Sequence, residues 1–155
     1  MLEASRSEFA ITRVRMGRPS QSHVPDGEGM AELLWSLRLL QSIDLHLSLY
    51  RFDFRIDASV AASVLDGAFG LSGLIGRLAD SHFALLLLGT DPDISTAETM
   101  VRTAVGRPLE EYGLPASTFA LAALHGFGQD MGDPDDLIVR LANLPAAAPG
   151  LERAA

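Results

Sequence analysis

The chain of 155 residues contains no cysteine, which removes disulfides, thiolate metal sites and cysteine nucleophiles together. Lysine is absent as well: all twelve basic residues are arginine, a bias that with abundant Ala and Gly reads as a trait of composition, not of mechanism. Aromatic residues make up 6% of the chain against 48% hydrophobic residues overall, so the core must be aliphatic. Positive charge is in short supply. The formal net charge is −8, which disfavours a phosphate-neutralising surface and hence nucleic-acid binding. The N-terminal arginines Arg6, Arg13, Arg15 and Arg18 read as scattered solvated side chains. No apolar run approaches the ~18 residues a membrane-spanning helix needs. The start, Met1 to Ser5, shows no basic stretch leading into an apolar one, so no secretory signal is expected and a cytoplasmic location is the default.

What is present fits one domain of ordinary length. Residues 1–29 read as an arm and linker: a weak strand or extended arm over Phe9–Met16, then a Gly/Pro/Ser-rich loop with a lone, solvated His23. Met30 to Ile43 is the clearest helix, with Met30, Leu33, Leu34, Leu37 and Leu40 on one stripe. Trp35 and Leu39 form a second apolar edge, to be covered either by a partner or by the N-terminal arm. Leu45, Leu47 and Leu49 alternate with polar residues, but from Phe52 the apolar phase flips, which predicts a bulge or strand end after Tyr50. Asp57 caps the next helix, which Gly67, Gly70 and Gly73 break up. Beyond the turn Asp91-Pro92-Asp93, either Asp93 or Ser95 caps a helix, with Glu98 completing a capping box if the cap is Ser95. Gly106-Arg107-Pro108 is expected to interrupt that helix. Ser117 to His125 is apolar on both faces and reads as a central strand, with His125 a hydrogen-bonded core histidine. Asp133-Pro134-Asp135-Asp136 opens a final helix, Leu137 to Leu144, and residues 146–155 form a disordered tail.

At the centre lies a hairpin. Two strand-like runs meet at Ala79-Asp80-Ser81-His82, and the second, Phe83 to Leu88, is continuously apolar as a buried strand should be. Arg77, Phe83, the apolar strand and its Gly89-Thr90-Asp91 exit resemble the central hairpin of GGDEF (diguanylate cyclase) domains. In that alignment Ala79 and Asp80 stand at the two glycines, Ser81 and His82 at the two acids. The signature itself is replaced. The resemblance implies an α+β fold of ferredoxin-like, GGDEF-like βαββαβ order over residues 30–145, an antiparallel sheet with helices packed on it. In the family the first strand ends in two aspartates. If Asp53 matches the second, Arg51 stands at the metal-ligand position; if it matches the first, Arg55 replaces the second. The family's product-binding Arg-x-x-Asp falls on Gly70-Leu71-Ser72-Gly73 and is absent.

These replacements imply a catalytically inactive, GGDEF-like regulator or scaffold in bacterial signalling, with a protein partner or homodimer contact through Trp35 and Leu39 and with no cofactor or metal. One rival is a sensor of GTP or cyclic di-GMP, its degenerate cleft lined by Arg51, Asp53, Arg77, Asp80, Ser81 and His82. The other is an enzyme of altered chemistry using Asp53, Asp80 and His82, the histidine as base. His46, His82 and His125 have no metal-like spacing.

Overall fold

The computed structural model describes residues 28–79 and 81–146, so Asp80, the N-terminal arm and the C-terminal tail lie outside the described residues. In chain order the elements are α1 (Glu28–Leu40), β1 (His46–Phe54), α2 (Ala58–Phe69), β2 (Gly73–Ala79), β3 (His82–Leu88), α3 (Ile94–Glu111), a 3-10 turn (Ala116–Thr118), β4 (Phe119–Phe127), α4 (Gly128–Met131) and α5 (Pro134–Asn143). The class is α+β. The four strands form one antiparallel sheet in the order β2-β3-β1-β4. No helix of the described residues is long and apolar enough to cross a membrane.

β1 runs without a bulge for nine residues, paired along its length to β4 on one side and to β3 on the other. The expected break after Tyr50 does not occur, because both faces of this strand are covered. Its even positions, Tyr50, Phe52 and Phe54, join a core with Val64 and Leu65 of α2 and Val101, Val105 and Leu109 of α3. Its odd positions, Leu47 and Leu49, join a second core with Leu33 and Leu37 of α1 and Leu137 and Leu141 of α5. What looked like a phase flip is polar residues placed first on one face (His46, Ser48) and then on the other (Arg51, Asp53). β3 is an interior strand as its apolar run predicts, whereas β4 is an edge strand and not a central one. Its two apolar faces reflect helices on both sides of the sheet, not neighbours on both edges.

Helix ends follow local chemistry. The Asp57 side chain accepts from Ser59 N at 3.0 Å, and hydrogen bonds from Ser59 hold its carboxyl below the usual value. Asp133 caps α5 by accepting from Asp136 N at 3.2 Å. Asp93, not Ser95, is the cap of α3, so Ser95 lies inside the helix and its capping box with Glu98 does not form; Glu98 pairs with Arg102 one turn on, at 3.0 Å. α3 also continues through Pro108, although a proline there forfeits one helical hydrogen bond. Burial of Val105 and Leu109 on either side offsets that loss. The helix ends at Glu111, and beyond it Gly113, with a φ of 73°, lets Leu114 N reach Leu109 O at 2.9 Å.

α1 begins two residues earlier than the periodicity suggests and stops at Leu40. Its first turn lies against the backbone of β2: a Cβ on Gly29 would stand 2.1 Å from Ile75 O, and one on Gly76 2.5 Å from Met30 Sδ. Met30, Leu33 and Leu37 are buried while Trp35 and Leu39 are 60% and 57% exposed, so the two apolar edges read from the sequence do separate.

Candidate functional site

The strand register sets the first group of polar side chains. Asp53 of β1 lies opposite His82 of β3 and Ala120 of β4, and Arg51 lies opposite Ala84 and Ala122. Two alanines beside Arg51 leave room for a guanidinium within an otherwise aliphatic face. Arg51 is 7% exposed, and each nitrogen of its guanidinium is engaged. Nε donates to Asp53 Oδ1 and Nη2 to Asp53 Oδ2, each at 2.9 Å, a two-pronged pairing with the carboxylate. Nη1 donates to Leu141 O at 2.6 Å and Ala142 O at 3.0 Å, carbonyls of the last turn of α5; Leu141 O also accepts from Leu144 N at 3.3 Å. His82 Nε2 lies 3.4 Å from Asp53 Oδ1, an ion pair when the imidazole is protonated.

Chemically this arrangement is a clamp. Both Asp53 oxygens accept from one arginine, so the carboxylate is ill placed to ligate a metal or take a proton. Among the described residues no group of three or more His, Asp or Glu side chains is placed to hold a metal ion.

The remaining residues singled out in the sequence do not join this cleft. Arg77 of β2 stands opposite Phe83, on the face that α2 and α3 cover, with its guanidinium 5.9 Å above the Phe83 ring and its Nε 3.3 Å from Ala79 O. Ser81 turns its hydroxyl to Ile56 O at 3.3 Å, and its carbonyl accepts from Phe54 N at 2.9 Å. Asp80 lies outside the described residues. Arg51, Asp53 and His82 thus come together, and Arg77 and Ser81 serve the hairpin and the opposite face.

A second polar group was not foreseen from the sequence. His46 Nδ1 and Ser48 Oγ approach Thr90 Oγ1 at 2.9 and 2.7 Å, and Ser48 Oγ lies 2.8 Å from His125 Nδ1. The register puts Ser48 opposite His125, which confirms His125 as a hydrogen-bonded histidine but supplies partners that lie 42 and 77 residues from Ser48. Burial, and secondarily the nearby His46, push the His125 imidazole below its ordinary value, with the charge of Glu98 opposing. Tyr50 sits edge-on to His125 with ring centroids 5.6 Å apart. Its side chain is wholly buried, and Ser48, which also meets Thr90 and His125, is the polar side chain beside its hydroxyl. Burial pushes that hydroxyl above its ordinary value; Ser48 opposes and the charge of Glu98 adds. The only signal in the sequence was the alternation of His46, Ser48 and Tyr50 on one face of β1.

No protein-family model matches the chain, and no curated protein is similar to it.

Proposed function

We propose that the chain is a catalytically inactive, GGDEF-like domain that works through protein contacts as a regulator or scaffold. The observation that carries the reading is the commitment of Arg51: in the register that pairs Asp53 with the family's second aspartate, a guanidinium already engaged by Asp53 and the end of α5 stands where the resemblance calls for a metal-binding acid. The strand–helix–strand–strand–helix–strand run from β1 to β4, with β1 between β3 and β4, is the order a ferredoxin-like palm requires and supports the fold assignment. The exposed edge of Trp35 and Leu39, with Ile43 44% exposed just beyond it, is the surface this reading assigns to a partner or second copy.

Two measurements test it. Thermal shift with GTP, cyclic di-GMP and Mg²⁺ should leave the midpoint unmoved at millimolar ligand, whereas a ligand present at about 100 times its Kd would stabilise by roughly 2.7 kcal/mol and shift it by several degrees. Such a shift would favour the sensor reading. Trp35 is the single tryptophan, so its emission reports on the proposed surface alone. Emission moving to the blue as protein concentration rises, or on adding a partner, and failing to do so in Leu39→Glu, is the expected result. Solvent-like emission at every concentration, together with a monomer by sedimentation, leaves the homodimer without support.

A further inference from the structure

The two edges of the sheet are treated differently. Proteins blunt an edge strand with a charge, a bulge, a proline or a covering element, because its open backbone groups invite a further strand. At one edge β2 has a register shift between Arg77 and Ala79, the charge of Arg77 itself, and the first turn of α1 against its backbone at Ile75. At the other edge β4 has none of these. It runs nine residues, Phe119–Phe127, without proline, acid or arginine, and its pairing to β1 is free of bulges.

The phase of the ladder identifies the open groups. Gly128 N donates to Leu45 O at 2.9 Å and Arg55 N to Thr118 O at 2.8 Å, so the even-numbered residues of β4 exchange hydrogen bonds with β1. Antiparallel alternation then turns the N–H and C=O of Phe119, Leu121, Ala123, His125 and Phe127 to the free side. Among the described residues these groups have no backbone partner. The strand is also close to a palindrome about Ala123. Laid antiparallel on itself, it sets Phe119 against Phe127, Ala120 against Gly126, Leu121 against His125, Ala122 against Leu124, and Ala123 against its twin. Because the centre is a residue and not a peptide bond, odd-numbered residues meet odd-numbered ones. The register that matches the side chains therefore brings open N–H groups against open C=O groups. Phe119 and Leu121 lie on the α2/α3 face and Leu124 on the α1/α5 face, so this pairing keeps each helix layer on its own side of the sheet.

We propose that the partner of β4 is a second copy of this chain, strand β4 against strand β4 about a two-fold axis at Ala123, joining two four-stranded sheets into one continuous sheet. The contact uses the backbone of β4 and neither Trp35 nor Leu39, and it does not depend on the GGDEF-like reading.

The chain has no cysteine, so a single introduced thiol can cross-link only to its twin. In the paired form Ala123→Cys places the two Cα atoms about 5.5 Å apart, a span that a disulfide bridges. Ala120→Cys, at a similarly half-buried position, sets them about 20 Å apart along the strands. With copper phenanthroline as oxidant, Ala123→Cys should form the covalent dimer while Ala120→Cys stays monomeric. Sedimentation of the full chain from about 100 µM downward should show a dimer that dissociates on dilution. Ala123→Pro removes an N–H that bonds nothing within one copy, so the variant should fold, as thermal unfolding checks, and sediment as a monomer. Amide exchange reads the same point without a substitution: protection at Leu121, Ala123 and His125 should fall on dilution, while that at Ala120, Ala122 and Leu124 holds. It decides the matter if Ala123→Pro does not fold. A monomer at every concentration, equal cross-linking of the two cysteine variants, a folded Ala123→Pro that remains a dimer, or odd-numbered amides whose protection ignores dilution would each overturn the proposal.

Discussion

Replacing Arg51 by Met tests whether the polar end of β1 is a fastening or a ligand site. Methionine keeps most of the side-chain volume between Ala84 and Ala122, so packing changes little and the charge is what is lost. What remains is an Asp53 carboxylate with a side chain 23% exposed and two carbonyls at the end of α5 that have lost the Nη1 donor, Leu141 O keeping its 3.3 Å bond from Leu144 N. Removing one member of a fully buried ion pair costs about 3–5 kcal/mol. Because Asp53 is partly hydrated, His82 lies 3.4 Å away, and water can reach a helix end, about 2–3 kcal/mol is the reasoned loss here. For a domain of this size that lowers the thermal midpoint by roughly 5–10 °C. The double variant Arg51→Met/Asp53→Leu removes both charges, and should recover part of the loss, so urea unfolding of the four-member cycle separates the pair from the packing. Amide exchange adds a location: protection should fall first in α5, whose end the guanidinium holds. If Arg51→Met unfolds at or above the wild-type midpoint with α5 fully protected, the clamp is not structural. Arg51 would then behave as functional-site residues often do, at the expense of stability.

Two further outcomes follow from the geometry. The His125 value is lowered in the folded protein, so the unfolded chain binds more protons between that value and about 6.5; stability is full above pH 6.5 and is lost as pH falls through the folded value. Denaturation midpoints measured from pH 7 downward should therefore flatten in His125→Asn, and superimposable profiles would exclude this imidazole as a source of acid sensitivity. Gly106→Ala on α3 meets nothing within 4 Å and should stabilise by about 0.5–1 kcal/mol, whereas Gly76→Ala drives a methyl into Met30 and should lower the midpoint; equal effects in thermal unfolding would contradict the close approach of α1 to β2.

Local signals in the sequence served where the deciding atoms are near in the chain. Asp57 and Asp133 are caps because the amides they satisfy lie two and three residues away, and Phe83–Leu88 is an interior strand because an unbroken apolar run must be covered on both faces. The reading failed where the deciding neighbour is distant. The change of phase in β1 has no local explanation; it needs the knowledge that α1 and α5 cover one face and α2 and α3 the other. Pro108 is tolerated because Val105 and Leu109 are buried beside it, which no breaker rule sees. The resemblance grouped Arg77 with Arg51 in one cleft, but strand pleating sends them to opposite faces. The cluster of His46, Ser48, Thr90 and His125 is assembled by pairing across the sheet from three separate segments, and one strand alone shows only half of it.

The guanidinium of Arg51 receives its carbonyl partners from positions 90 and 91 residues further along the chain. During synthesis β1, β2 and β3 can therefore pair long before the side chain in their midst has found all its acceptors. Until residues 141 and 142 arrive, Arg51 has only Asp53 and water, and the face that α5 will cover, with Leu47 and Leu49 on it, stays open. Docking of the last helix closes that face and dries the charge in one event. Nascent chains released or stalled ahead of that point would carry an exposed aliphatic sheet, and their fate would be decided by chaperone capture or aggregation rather than by the stability of the finished fold.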